Sequence, residues 1–358
     1  MNDKPPAPER PTIRQVADAA GVSLGTVSRV LNTHKSVRPE TRARVKEAIR
    51  SLGYEPDSVA QSLRSRTTRT IGCIIRDITI PTLASFVKGA QDELQAANYA
   101  LMVANSESRK DRELELLSLF ARRRADGLIL SLSSEEDQEI VEAVKSFHLP
   151  VVLLDREIPR SADSITINHA EGMQHAVEYL LSLGHRRIAL ITGKADLHPG
   201  RQRILGYHRA HEARGMAVDP DLLRSGSFLA EYGFRETSAL LSSSDPPTAI
   251  ISGGMDMLSG VLRAVRTHHA RIPEDVSIVA CSDCELAQFV TPAISVIYWD
   301  WAMVGRFTAR ILLDRLQGAA SPEVRALRLS TELIVRSSCG PPPASSQTVR
   351  HSVTEAGP

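Results

Sequence analysis

The sequence predicts two dissimilar parts: an all-α module in residues 1–69 and, behind it, a two-lobed α/β body built on parallel sheets. Three observations carry this. Residues 12–54 read as three short helices without a strand signal. From Thr70 onward, short apolar runs alternate with amphipathic helices, the pattern of βαβ units with right-handed crossovers. That stretch of about 270 residues exceeds one comfortable sheet, so two doubly wound lobes with a cleft between them are expected.

The elements follow in order. Strands are expected at Ile71–Ile75, Leu101–Ala104, Gly127–Leu132, Val151–Leu154, Ile188–Thr192, Ala249–Ser252 and Val276–Cys281. Helical patterns separate them, as at Leu83–Ala97, Arg112–Arg123, Ala170–Leu183 and Met257–Thr267. The polar, proline-rich residues 1–11 and the stretch 340–358, opening Gly340-Pro-Pro-Pro, read as disordered tails.

Charge is distributed unevenly. Residues 1–69 hold 13 Lys/Arg against 7 Asp/Glu, a net of +6, while the remainder holds 30 against 35, a net of −5. A basic module on an acidic body suits a domain that meets phosphates. The longest apolar runs, such as Pro150–Leu154, fall far below the roughly 18 residues of a spanning helix, so no membrane association is expected. Met1–Pro11 has no apolar core and does not read as a secretory signal. Four scattered cysteines form no disulfide framework, which agrees with a reducing, cytoplasmic setting.

The N-terminal module carries the most specific signal. Thr12 with Gln15 is a capping pair opening a first helix, on which Ile13, Val16, Ala17 and Ala20 share one face. Gly21 supplies the left-handed residue of a tight turn, and Ser23 caps a second helix whose Val27, Val30 and Leu31 extend the same core. This is a helix-turn-helix, and its second helix fits a major groove. That helix presents Leu24, Gly25, Thr26, Ser28, Arg29 and Asn32 to solvent. An arginine there can fork onto guanine, and Ser and Asn suit phosphates. A capped helical hairpin in an unrelated domain would share these local features.

Further motifs narrow the reading. Val22-Ser-Leu-Gly-Thr-Val-Ser-Arg-Val-Leu-Asn32, Val37-Arg-Pro-Glu-Thr-Arg-Ala-Arg-Val45, Leu52-Gly-Tyr-Glu-Pro-Asp57 and Ala60-Gln-Ser-Leu-Arg64 resemble the headpiece of the lactose-repressor (LacI/GalR) family in order and spacing. The resemblance continues from Thr70-Ile-Gly to about Ile334. It implies a DNA-binding transcription regulator, a repressor rather than an enzyme. Leu24, Gly25 and Arg29 would stand at base-reading positions, and Thr26, Ser28 and Asn32 at phosphate-contact positions. Gly25 departs from the family, which usually has a side chain there, so Leu24 and Arg29 would carry the discrimination. Pro56–Ser65 would be the hinge that folds on DNA, with Leu63 wedged into the central minor-groove step; a plain linker is the alternative. Asp57 stands where the family more often has Asn.

For the body the resemblance implies two periplasmic-binding-protein-like lobes closing on a small, sugar-like or related effector. The expected divisions are residues 12–55 for the headpiece, 56–69 for the hinge and linker, and 70–339 for the body. Lobe one would hold about 70–165 and 297–326, and lobe two about 166–296 and 327–339. Ligands in such sheets lie outside the carboxyl ends of the strands. Asp77, Asp155, Arg156, Arg203, Phe228 and Asp283 are therefore the candidate effector-binding residues, each with surface ion pairing or core packing as its plainer alternative. Arg203, Phe228 and Asp283 match the family's effector-site arginine, stacking aromatic and acid. Ile80-Pro-Thr-Leu83 lacks the aromatic pair common in the family, Asp256 sits one position out of register, and Trp299 replaces a usually polar linker residue; it would stack on the effector or pack between the lobes.

Other readings are weaker. Cys281-Ser-Asp-Cys284 has no second pair at zinc spacing, and neither a nucleophile elbow, a phosphate-binding loop nor a dinucleotide fingerprint is present. No metal, cofactor or catalytic set is expected. A secreted binding protein would need a signal peptide and no headpiece, and an α/β enzyme would need a clustered acid–base set. A homodimer on a pseudo-palindromic double-stranded operator is expected, because one headpiece reads one half-site.

Overall fold

The computed structural model describes residues 11–31, 36–54, 67–158, 161–254, 256–319 and 323–344. The chain divides into two compact units, residues 1–68 and 69–358.

The first unit contains α1 (Ile13–Ala20), α2 (Leu24–Leu31) and α3 (Pro39–Leu52). Its boundaries follow local chemistry. Thr12 and Gln15 close a reciprocal capping box, with Thr12 N–H donating to Gln15 Oε1 at 2.7 Å. Gly21 ends α1 at φ +59°, a conformation that opposes a Cβ, and Val22 N–H returns to the Ala17 carbonyl at 3.0 Å. Ser23 Oγ then accepts from Thr26 N–H at 3.2 Å and starts α2. Val16, Val27 and Val45 meet in a core that also buries Ala17, Ala20, Val30 and Ala48.

The second unit holds two sheets. The strands are β1 (Thr70–Ile75), β2 (Ala100–Asn105), β3 (Gly127–Leu130), β4 (Val151–Leu154), β5 (Asp163–Ile167), β6 (Ile188–Thr192), β7 (Leu223–Ser225), β8 (Ala249–Gly253), β9 (Ser277–Cys281), β10 (Ser295–Tyr298), β11 (Ala326–Leu329) and β12 (Glu332–Ile334). The helices are α4 (Pro81–Ala96), α5 (Lys110–Arg122), α6 (Gln138–Lys145), α7 (His169–Ser182), α8 (His198–Glu212), α9 (Ala230–Leu241), α10 (Met257–Thr267), α11 (Glu285–Phe289) and α12 (Trp301–Leu316). The first sheet runs β2-β1-β3-β4-β5-β11 with every neighbour parallel. The second runs β7-β6-β8-β9-β10-β12, parallel except for β10 with β12. Strands buried on both faces, such as β3, β4 and β6, are continuous apolar runs, as parallel sheets require.

The chain passes between the sheets three times: from β5 into α7, from β10 into α12, and from β11 into β12. This corrects the expected lobe limits. Residues 326–329 pair with β5 and belong to the first sheet, although 327–339 was expected in lobe two. Residues 297–298 lie in β10 of the second sheet, and residues 166–167 in β5 of the first. α12 returns against α4 so closely that a Cβ on Gly89 would stand 2.1 Å from the Ala302 carbonyl oxygen. The expected tail also starts too early. Gly340 is tied down, its N–H donating to Ser277 Oγ at 3.1 Å and its carbonyl lying 2.8 Å from His185 Nε2. Residues 1–10, 345–358 and the predicted hinge 56–65 lie outside the described residues.

Candidate DNA-reading helix and lobe-junction site

On α2 the predicted reading face is turned to solvent. Leu24 is 42% exposed, Gly25 and Arg29 are exposed, and Thr26 and Ser28 are half-buried. The Thr26 hydroxyl lies 3.0 Å from Ser23 Oγ, so the residue that starts the helix also orients a phosphate-contact candidate. A Cβ on Gly25 would stand 3.7 Å from Arg29 Nη2. The guanidinium thus lies back along the helix beside Gly25, where a larger residue would compete with it. Asn32 and Leu63 lie outside the described residues.

In the body, the strand ends build a buried polar chain. Asp155 follows β4 at φ +52°, a strained conformation for a residue with a Cβ, and Ile167 N–H donates to its Oδ1 at 3.3 Å. His169, the first residue of α7, places Nε2 2.9 Å from Asp155 Oδ2. On its other side Nδ1 stands 3.4 Å from Arg203 Nη2 of α8. A guanidinium only donates, so Nδ1 is the bare nitrogen and Nε2 carries the proton that Asp155 accepts. Burial pushes His169 down to about 4, against the pull of Asp155, which leaves it neutral near pH 7. Burial opposes the charge on Asp155, but the hydrogen bond from His169 and the nearby Arg156 guanidinium favour it and hold the carboxyl below the usual carboxylate range. Arg203 also donates from Nη1 to the Gly253 carbonyl at 2.7 Å. One hydrogen-bonded chain therefore runs from the first sheet through the crossing helix to the second lobe.

Aromatic rings enclose this chain. Trp299 meets the His169 ring edge-on with centroids 5.2 Å apart and lies 5.6 Å from Trp301. Phe228 lies under the Arg203 guanidinium at 5.6 Å and fills the space above Gly193, where a Cβ would come within 2.1 Å of the ring. Arg156 donates to the Leu132 and Asp155 carbonyls, each at 2.7 Å, and so braces the β4 end.

A second link joins the lobes. Glu135, buried in the loop after β3, accepts from His198 N–H at 3.0 Å, from Glu157 N–H at 3.2 Å and from Arg201 Nη2 at 2.9 Å. A first-lobe carboxylate thus satisfies the N-terminus of second-lobe α8, where the helix dipole favours negative charge. Ser133-Ser-Glu-Glu-Asp reads as an ordinary polar loop, so no local signal exposed this role.

Two family models match the chain: "Bacterial regulatory proteins, lacI family" over residues 12–57 and "Periplasmic binding protein-like domain" over residues 177–339. A relative, the HTH-type transcriptional repressor PurR of Aliivibrio fischeri (strain MJ11), is 32% identical over 331 residues, 91% of this chain and 98% of the relative. The chain belongs to the lacI family. Among solved structures, the lac repressor dimer bound to operator and the anti-inducer ONPF has a TM-score of 0.82 at 26% identity, covering 93% of this chain and 100% of that one. The transcriptional regulator CelR–cellobiose complex has a TM-score of 0.69 at 31% identity, covering 92% and 100%. As a lacI-family member the chain is an effector-controlled, DNA-binding transcriptional repressor and not an enzyme.

Within that family frame, the structure gathers some of the expected effector residues and separates others. Asp155, Arg203 and Phe228 come together, and Arg156 supports them from behind. Asp77 instead closes its own turn: its Oδ1 accepts from Thr79 N–H at 2.9 Å, which holds its carboxyl below the ordinary range. Arg76 beside it is buried enough to be pushed down in pKa, against the attraction of Asp256 from the other lobe. Asp283 is engaged elsewhere in the second lobe. Its two oxygens accept from Arg336 at 2.9 and 2.7 Å and from Gln288 Nε2 at 2.9 Å. That pairing fastens the loop after β9 to the segment after β12. His169 was missed by sequence reasoning, because Ile-Asn-His-Ala reads as the start of an amphipathic helix; only a helix-initial histidine beside a strand end could have hinted at it. Trp299 packs between its neighbours rather than offering an open face, at 4% exposure. Cys281 and Cys284 are free thiols, and no cluster suited to a metal occurs among the described residues. None of the described helices is long and apolar enough to cross a membrane.

Proposed function

We propose that this repressor acts in the cytoplasm as a homodimer on a pseudo-palindromic operator. Leu24 and Arg29 read bases, Thr26, Ser28 and Asn32 hold phosphates, Gly25 leaves the arginine free, and Leu63 wedges into the minor groove. A small effector binds at the lobe junction, against Asp155, Arg203 and Phe228, with Arg156 bracing the β4 end behind them. Its binding alters the lobe angle and, by linkage, the DNA affinity. The observation that carries this reading is the Asp155–His169–Arg203 chain, which joins both lobes through side chains that any shift of the lobes must rearrange. The operator-bound dimer of the lac repressor and the cellobiose complex of CelR support it by similarity. Apolar side chains left exposed on the body, Phe289 at 79% and Leu286 at 42%, suit contact with a second copy.

Salt-dependent retention on DNA tests the first part. The whole chain is expected to lose affinity steeply with added salt, and a chain lacking residues 1–69 is expected to show no retention. Equal retention by both would overturn the reading. Leu63→Ala is expected to lower specific operator affinity on the order of tenfold while sparing non-specific binding; equal loss of both would remove the wedge.

A further inference from the structure

The lobe junction contains polar atoms that the protein itself leaves unsatisfied, and their chemistry is not balanced. Arg203 is 3% exposed, and its Nε–H has no acceptor. Among the described residues it has no carboxylate within 4 Å; its guanidinium meets a backbone carbonyl, a neutral histidine nitrogen and the Cys281 thiol, none of which carries a counter-charge at neutral pH. Trp299 Nε1–H also has no acceptor at 4% exposure, whereas the neighbouring Trp301 donates to Ser282 Oγ at 3.0 Å. Ser252 Oγ, fully buried one residue before the carbonyl that holds Arg203, is unpartnered too. Two of these three groups can only donate. Buried donors rarely stay without acceptors, and a buried guanidinium without a carboxylate is costlier still.

These groups belong to one place. Arg203 and Trp299 flank the same His169 ring, and Ser252 sits at the end of β8 beside Gly253. All lie at or just beyond the carboxyl ends of strands or on the helix facing them, where ligands of such sheets bind. Asp155 does not neutralise Arg203 directly, because its carboxylate is held by the far nitrogen of His169 and by Ile167 N–H. Glu135 is engaged by Arg201 and α8, and Asp77 by its own turn.

We propose that the effector carries an oxyanion, a carboxylate or a phosphate, which accepts from Arg203 Nε–H, Trp299 Nε1–H and Ser252 Oγ–H. This rests on the reading of the lobe junction as the effector site. An oxyanion supplies several acceptor lone pairs to donor-only groups and a counter-charge to the guanidinium, which a neutral hydroxyl does not.

The test uses the full chain and matched probes: ribose with ribose 5-phosphate, glucose with glucuronate and glucose 6-phosphate, and inorganic phosphate alone. A charged probe is expected to raise the melting temperature by several degrees where its neutral twin does not. Trp299→Phe, which keeps the ring and removes the N–H, is expected to weaken that probe about tenfold, and Arg203→Lys to weaken it further. Neutral sugars that stabilise as well as their charged twins, and lose that effect in Arg203→Ala, overturn the oxyanion but keep the junction. A charged probe that binds equally to wild type, Trp299→Phe and Arg203→Lys overturns both. No shift from any probe counts against the oxyanion, since phosphate and carboxylate are both represented.

Discussion

The two units use polar side chains in opposite ways. On α2 the chemistry stands at the surface, where Leu24, Gly25 and Arg29 face water and neighbours constrain them little. At the lobe junction Asp155, His169 and Arg203 are buried and each is held by the next. A reader of DNA needs side chains free to meet a partner already rich in charge, so its network is completed by the partner. The proposed sensor must convert a small ligand into a movement, and groups already hydrogen-bonded to one another suit that task. Substitutions should therefore be local in the first unit and far-reaching in the second.

Arg203→Ala is the strongest probe of that difference. It removes the guanidinium and leaves the His169 nitrogen and the Gly253 carbonyl unpaired, so effector affinity should fall on the order of 100-fold. Titration calorimetry measures this, and near-normal affinity would mean that the junction is not the sensor.

His169→Gln tests the coupling through pH. The folded chain holds His169 at about 4, against 6.5 for the free side chain. Between those values protons therefore bind preferentially to the unfolded state. Stability is full above roughly pH 6.5 and falls as pH drops toward 4, by about 2–3 kcal/mol at pH 4.5 from this group. Asp155, depressed below the ordinary carboxylate range, adds a further loss at still lower pH. Denaturant unfolding at several pH values should show a flatter decline for the glutamine variant, and an unchanged slope would disconnect His169 from the network.

Asp283→Asn sharpens the contrast within the body. Breaking the two-pronged contact with Arg336 should cost about 2 kcal/mol of stability and leave effector affinity within a few-fold of wild type. A large loss of affinity with little loss of stability would restore the ligand-binding role expected from sequence.

Gly25→Ala should have the smallest effect. Helix propensity alone would stabilise the headpiece by about 0.5–1 kcal/mol, since the backbone there is helical and the nearest neighbour is 3.7 Å from the new Cβ. Operator preference should shift, because the methyl group abuts the Arg29 guanidinium. Thermal unfolding with a binding-site selection checks both.

The strands that escaped sequence reasoning show where its signal ended. β5 reads Asp-Ser-Ile-Thr-Ile and looks like a loop, yet all five residues are buried. Asp163 tolerates this because Arg315, 152 residues away in the chain, grips both its oxygens at 2.7 Å and Arg325 N–H adds a third bond. β11 alternates exposed and half-buried residues, and β12 is three residues long with none buried, so they lack the continuous apolar run that marked β4 and β6.

The sequence by itself determined the parts whose causes lie within a few residues of one another. The capping pair at Thr12, the left-handed Gly21, the spacing of Val16, Val27 and Val30, and the apolar strands with their intervening helices are all local chemistry. These were enough to define a DNA-reading headpiece and a two-lobed body. Tertiary structure alone decided which polar residues meet. His169 joins Asp155 and Arg203 because α7 begins at the crossing between the sheets, Asp283 turns to Arg336, and Glu135 reaches the start of α8. These partners stand 14 to 63 residues apart in sequence. No local pattern fixes such pairings, because burial and the geometry of sheet closure select among several acids and bases that look alike along the chain.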